Sequence, residues 1–156
     1  FGTNDRSSDF GPSSWIMEGQ ATYSTAKFGE SAGWGESFES AMMAMKAYGG
    51  NISPIGIDAF LADEDTFDFE DESYWERDDF AAPAVYYMLG AWAWAYLVHE
   101  VGGDYDIALK DFIVDIAELG KAASFEKHFD RTLDEFYAEF ALFIKGDDDA
   151  WRAILD

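Results

Sequence analysis

Apolar residues recur at helical spacing through most of this chain. The first stretch follows Pro12, where Ser13 or Ser14 can cap a helix that runs to about Phe28. The second runs from about Glu36 to Tyr48, and its apolar positions are Phe38, Ala41, Met42, Met45 and Tyr48. No sustained alternation with a period of two residues and no hairpin signal occurs in the sequence. The pattern therefore predicts an all-α protein.

The second half of the chain carries further helical segments. Their expected bounds are about Pro83–Val101, Tyr105–Leu119, Ser124–Phe129 and Leu133–Ile144, with a last turn at Ala150–Leu155. Gly102–Gly103 and Gly120 close the first two of these, because glycine tolerates the positive φ that commonly ends a helix. Thr132 and Glu135 have the spacing of a capping box. We expect a compact bundle of about five to seven helices with Gly-rich and acidic connections.

The domain organisation follows from the breaks in this pattern. Residues 1–12 are predicted to be an irregular lead-in, and residues 13–156 a single helical domain, which is long enough to bury a core. Gly29, Gly33 and Gly35 are expected to interrupt the chain after the first helix. Ser53–Pro54 predicts a short helix that ends near Leu61, and the acidic residues 63–79 predict a loop.

The charge balance excludes several classes of partner. The chain has 32 acidic residues against 10 Lys and Arg, a formal net charge of -22. Nucleic acid and anionic membrane surfaces are therefore not expected partners, because phosphate binding requires clustered cations.

Residues 81–98 carry no charge, but Pro83, Gly90 and several alanines favour a buried helix over a transmembrane span. Without cysteine, disulfides and thiolate metal sites are excluded.

Two polar side chains on apolar segments are candidates for chemistry. Glu18 lies in the run W-I-M-E-G-Q-A-T-Y, at residues 15–23, where it is either a zinc ligand or an acid favoured by the helix dipole. Tyr87 lies in V-Y-Y-M-L-G, 69 residues later, where an aromatic side chain on a buried helix is by itself expected to pack in the core. Residues 123–136 form a third distinctive run, S-F-E-K-H-F followed by the capping box, which predicts phenylalanine packing.

These three runs, in this order, resemble the second part of gluzincin zinc metallopeptidases, the M1-type and peptidase MA-like proteins. The resemblance covers about residues 13–144 and implies that Glu18 is the third Zn²⁺ ligand and Tyr87 the catalytic oxyanion donor. The H-E-x-x-H motif of that superfamily, which supplies two histidine ligands and the general base, is absent from residues 1–156. In the M1-type pattern the second histidine would fall just upstream of Phe1. The missing ligands are therefore either on an upstream segment or lost.

The resemblance implies a function that depends on a partner. The chain is expected to be the C-terminal helical portion of a zinc metallopeptidase-like protein, incomplete and inactive alone, in which an upstream segment or another chain covers the Glu18 helix. Self-association would cover the same face. The resemblance also favours a location outside the cytoplasm. The alternative is a non-catalytic, aromatic-rich helical binding or assembly subunit, with its six tryptophans available for interfaces.

Other candidate sites are weaker. His99–Glu100 begins like H-E-x-x-H, but Gly103 occupies the position of the second histidine, so we expect His99 to be a helix-end residue. His128 is expected to be at the surface or packed against a partner residue. Asp63, Asp65 and Asp68 either bind Ca²⁺ weakly or belong to a solvated loop, since the spacing of an EF-hand is missing.

Overall fold

The computed structural model describes residues 14–48, 84–104 and 106–155. Its α-helices are α1 (Ser14–Ala32), α2 (Phe38–Tyr48), α3 (Gly90–Glu100), α4 (Phe112–Leu119), α5 (Lys121–Phe129), α6 (Leu133–Phe143) and α7 (Asp148–Arg152). Two π-helical turns, Ala84–Leu89 and Asp106–Asp111, run directly into α3 and α4. These residues contain no β-strand, so the all-α prediction is confirmed. Within the described ranges, no helix combines the length and the apolar character needed to cross a membrane.

The ends of several helices differ from the expected bounds, and three of these differences show how the ends are set. α1 continues through Gly29 to Ala32, and the chain turns at Gly33, which has a φ of 71°. The amides of Gly33 and Trp34 donate to the carbonyls of Glu30 and Gly29, at 3.1 and 2.9 Å, which is the Schellman pattern. Glycine is tolerated inside a helix, so the first glycine after an apolar run need not end it.

The other two differences have local causes. α5 begins at Lys121 rather than at Ser124, because Gly120 adopts a φ of 81° and reverses the chain directly before it. α7 begins at Asp148 because the Asp147 carboxylate accepts from the amide of Ala150 at 3.0 Å. The predicted capping box at Thr132 and Glu135 is present at the start of α6.

α1 and α3 cross with their backbones in contact. A Cβ built on Gly19 would lie 2.4 Å from the carbonyl carbon of Gly90, and a Cβ on Gly90 would lie 2.8 Å from the Cα of Gly19. No side chain larger than hydrogen fits at either position. The indole of Trp94 fixes the same crossing, because its Nε1–H donates to the carbonyl of Ile16 at 3.0 Å.

Aromatic rings fill the core between the remaining helices. The ring of Phe112 on α4 lies 5.6 Å from that of Phe125 and 5.4 Å from that of Phe129, both on α5. The ring of Phe136 on α6 lies 5.7 Å from that of Trp15 on α1. The phenylalanines of residues 123–140 are therefore packing residues, as the third sequence run predicts.

α7 attaches to α2 through a buried cation. Lys46 is 5% exposed, and its Nζ donates to Asp148 Oδ1 at 2.8 Å. The same ammonium lies 5.0 Å from the centroid of the Trp151 ring, within cation–π range. The pKa of Asp148 is lowered, first by the hydrogen bond from Lys46 and then by the charge of that residue.

The predictions made for residues 1–12, for the short helix 53–61 and for the acidic connection 63–79 lie outside the described residues. So do the candidate calcium ligands Asp63, Asp65 and Asp68, and Trp75.

Candidate functional site

Glu18 lies on α1 directly before the glycine of the backbone crossing. It is half-buried, between the exposed Met17 and the buried Gly19. Its carbonyl accepts a hydrogen bond from Thr22 Oγ1 at 2.8 Å. Within the described part of the chain, the Glu18 carboxylate has no hydrogen-bond or ion-pair partner.

Tyr87 lies on the π-helical turn Ala84–Leu89, three residues before Gly90. It is half-buried and packs against the core. α1 contacts both this turn and α3, so Glu18 and Tyr87 are carried by two elements that touch. A π-helical turn within a helix often occurs at a functional position, because it rotates the side chains that follow. The long uncharged run hides this turn, since it has no apolar periodicity from which the helical register could be read.

The described residues do not form a metal site by themselves. Among them, no group of three or more His, Asp or Glu side chains has the arrangement that holds a metal ion. A catalytic zinc ion typically has three protein ligands, whereas Glu18 offers one carboxylate. The donor set in residues 14–48, 84–104 and 106–155 is therefore incomplete for Zn²⁺, and any ion bound at Glu18 needs donors from elsewhere.

The two histidines have different surroundings: His99 is exposed, whereas His128 lies beside a carboxylate. His99 is exposed near the end of α3, as expected, and lines a small cavity with Tyr23 and Leu155. His128 on α5 lies with its Nε2 2.7 Å from Asp115 Oδ2 on α4, and Lys127 donates to the same carboxylate oxygen. These two hydrogen bonds, the one from Lys127 first, lower the pKa of Asp115.

Among the described residues, Ser124 does not complete a nucleophilic triad with the Asp115–His128 pair. Ser124, one helical turn before His128, is fully buried, and its hydroxyl donates to the carbonyl of Phe112 at 2.8 Å. A serine held this way has no accessible oxygen for attack on a substrate. The pair instead joins α4 to α5, which the sequence did not indicate because its members are on different helices.

Most of the described tryptophans belong to the core. Trp15, Trp92, Trp94 and Trp151 are fully buried, whereas Trp34 is 75% exposed. The expectation that all the tryptophans are available for interfaces is therefore wrong for these four residues. Their indoles fill the space between α1, α3, α6 and α7, because a bundle of short helices needs large side chains to bury its core.

Trp34 forms one wall of an open cavity of about 260 Å³ between α1 and α2. The other walls include Thr25, Gly29, Glu36, Ala41 and Met45. Glu36 accepts a hydrogen bond from Ser40 Oγ at 2.9 Å. The sequence does not indicate this cavity, because Gly29 and Trp34 approach one another only through the turn at Gly33.

Comparison with known proteins adds no assignment. No family model, no curated protein and no solved structure matches this chain.

Proposed function

We propose that this chain is the helical portion of a zinc metallopeptidase-like protein that hydrolyses peptide bonds. In this proposal Glu18 is one Zn²⁺ ligand, and two histidines come from an upstream segment or from another chain. Tyr87 is the group that donates a hydrogen bond to the oxyanion formed during hydrolysis. Residues 1–156 alone are then inactive, because in this proposal the two histidine ligands lie outside them.

One observation carries the proposal. The helix with Glu18 crosses α3 at Gly19 and Gly90, one residue after Glu18 and three residues after Tyr87, and it also contacts the turn with Tyr87, which runs directly into α3. A metal ligand and an oxyanion donor that serve the same reacting carbonyl must be held at a fixed separation on rigid elements. A backbone contact without intervening side chains supplies that rigidity. The half-buried Glu18 carboxylate, with no partner among the described residues, supports the same role.

The metal content of the full natural polypeptide that contains these residues tests the ligand role. We expect one equivalent of zinc in the wild-type protein and its loss in Glu18→Ala. Glu118→Ala is the matched control, because Glu118 is an exposed helical acid on α4. Stoichiometric zinc in Glu18→Ala, or no zinc in the full wild-type polypeptide, would show that the proposal is wrong.

The kinetic constants test the oxyanion role. Tyr87→Phe should reduce kcat by about 10²–10³-fold while the zinc content stays unchanged, because one donor to the developing charge is lost. Tyr96→Phe, which changes a half-buried tyrosine on α3, is the control. Equal effects of the two substitutions would indicate a packing role for Tyr87.

The second candidate function is a non-catalytic binding or assembly subunit. The observation that favours it is the group of exposed apolar residues on and after α1: Met17, Phe28 and Trp34, which are 46%, 49% and 75% exposed. Light scattering of the wild-type protein and of Phe28→Ser distinguishes a monomer from an assembly. If these residues form the interface, the wild-type protein associates and Phe28→Ser associates less. A monomer at all concentrations would remove the support for an assembly role.

A further inference from the structure

We propose that the cavity beside Trp34 is a binding site for a small organic cation of the alkylammonium class. The lining residues named above combine an exposed indole, a thioether and one carboxylate. Aromatic faces with a nearby carboxylate recognise quaternary ammonium groups, because the ring quadrupole and the negative charge both attract a cation that is too weakly hydrated to prefer water.

Trp34 is largely exposed, although it is the largest apolar side chain type. Three quarters of its surface remains in solvent, whereas four other tryptophans of the described chain are completely buried. The Trp34 amide donates to the carbonyl of Gly29, and the indole lies beside Gly29 at the mouth of the cavity without being buried by it. An indole at the mouth of a cavity leaves a ring face accessible to a cation.

The charge around the cavity selects a cation over an anion. Glu36 is the one ionisable group among the described lining residues. The net charge of -22 raises the local concentration of any cation over the whole surface. A neutral apolar ligand would use the indole and Met45 but would gain nothing from Glu36.

Gly29 leaves the room that the ligand would occupy. A Cβ built on Gly29 has one described neighbour within 4 Å, Cε3 of the Trp34 ring, at 4.0 Å. An alanine at this position would therefore fit without a clash and place a methyl group beside the indole. This makes Gly29→Ala a substitution that fills the site without disturbing the fold.

Titration of the full protein with choline, followed by the NMR signal of the Trp34 indole N–H, tests the proposal. We expect saturable binding with a dissociation constant on the order of 1–10 mM. The uncharged analogue 3,3-dimethyl-1-butanol has the same shape, and we expect it to bind about fivefold more weakly or less. Equal binding of the two compounds, or no saturable shift with choline, would overturn the proposal.

Variants separate the ligand site from the fold. Trp34→Leu, which keeps an apolar side chain but removes the ring face, should abolish the choline-dependent shifts of neighbouring residues. Gly29→Ala should weaken binding by at least about threefold with no loss of stability, and Glu36→Gln should weaken it and reduce its salt dependence. Leu142→Ala, which changes another exposed apolar residue, is the control. Unchanged binding in Trp34→Leu would overturn the proposal.

Discussion

Gly19 and Gly29 lie on the same helix but have opposite relations to their surroundings. A side chain at Gly19 would overlap the backbone of α3, with 2.4 Å between its Cβ and the Gly90 carbonyl carbon. Among the described residues, a Cβ at Gly29 would meet only the edge of the exposed Trp34 indole, at 4.0 Å. The first half of α1 is thus pressed against the core, whereas its second half borders an open cavity.

This difference shows what a glycine in a helix can mean. At Gly19 the absence of a side chain permits a close helix crossing. Glycine loses more conformational entropy on folding than other residues, and the packing of the crossing offsets that loss. At Gly29 the absence of a side chain leaves space and adds no packing, so the conformational cost is not offset there. Substitution at the two positions should therefore change stability in opposite directions.

Gly19→Ala should have the largest effect. The added methyl group can be accommodated only if α1 and α3 separate, which would also lengthen the hydrogen bond from Trp94 to Ile16. We expect the free energy of unfolding to fall by about 3 kcal/mol or more. Urea denaturation followed by circular dichroism measures this, and a loss below about 0.5 kcal/mol would contradict the close crossing.

The two tryptophans of α3 test how the crossing is fixed. Trp94 Nε1 donates to the Ile16 carbonyl, whereas the buried Trp92 Nε1 has no hydrogen-bond acceptor in the described structure. Phenylalanine at either position removes a similar volume, but only Trp94→Phe breaks a buried hydrogen bond. We expect Trp94→Phe to cost about 1–2 kcal/mol more than Trp92→Phe.

Equilibrium unfolding of the two variants gives that difference directly, because each serves as the volume control for the other. Equal losses would mean that the hydrogen bond to α1 contributes nothing to the crossing.

Gly29→Ala should have the opposite sign. Alanine has the higher helix propensity, and the position has room for a methyl group, so the free energy of unfolding should rise by about 0.5–1 kcal/mol. Thermal denaturation measures it, with Thr25→Ala as a control substitution one turn earlier in the same helix. Destabilisation by Gly29→Ala would show that the space beside Gly29 is smaller than the 4.0 Å separation from Trp34 indicates.

Low pH should weaken the contact between α2 and α7 at Lys46 and Asp148 but leave the crossing at Gly19 and Gly90 unchanged. The folded-state pKa of Asp148 is depressed by the hydrogen bond from Lys46, so the resulting stability is present above the unfolded pKa of aspartate. It is lost as the pH falls below about 4 and through the folded pKa. Since Asp148 is largely exposed, this is the smallest of the expected effects.

Amide hydrogen exchange at pH 3 and pH 6 measures the effect by region. We expect protection in α7 to decrease at pH 3, while protection in the part of α3 near Gly90 is unchanged after correction for the intrinsic rates. Asp148→Asn should remove the difference between the two pH values in α7. If it persists in this variant, another carboxylate is responsible.

The sequence predicts local features of this protein well. The apolar spacing identifies α1, α2 and α6, and the capping box at Thr132 and Glu135 identifies the start of α6. The glycine pair after α3 and Gly120 after α4 mark helix ends, where φ values of 70° to 81° favour glycine. Each of these features depends on residues within a few positions of one another, so no knowledge of the fold is needed.

The candidate site is predicted less completely. The sequence names Glu18 and Tyr87 as candidates through a resemblance, but it does not indicate that their elements meet at Gly19 and Gly90. The alternative expectation, that all six tryptophans are available for interfaces, fails for the four that are buried. Burial depends on which helices face one another, and composition does not contain that information.

The sequence by itself determined that the chain is helical, acidic and rich in aromatic residues for a core, because periodicity, charge and side-chain volume are properties of the residues alone. Only the tertiary structure decided which glycine is a contact and which is a space, and which indole is buried and which is exposed. The physical reason is that steric exclusion acts between residues far apart in sequence. Gly19 is constrained by Gly90, and nothing near Gly19 in the chain reports that constraint.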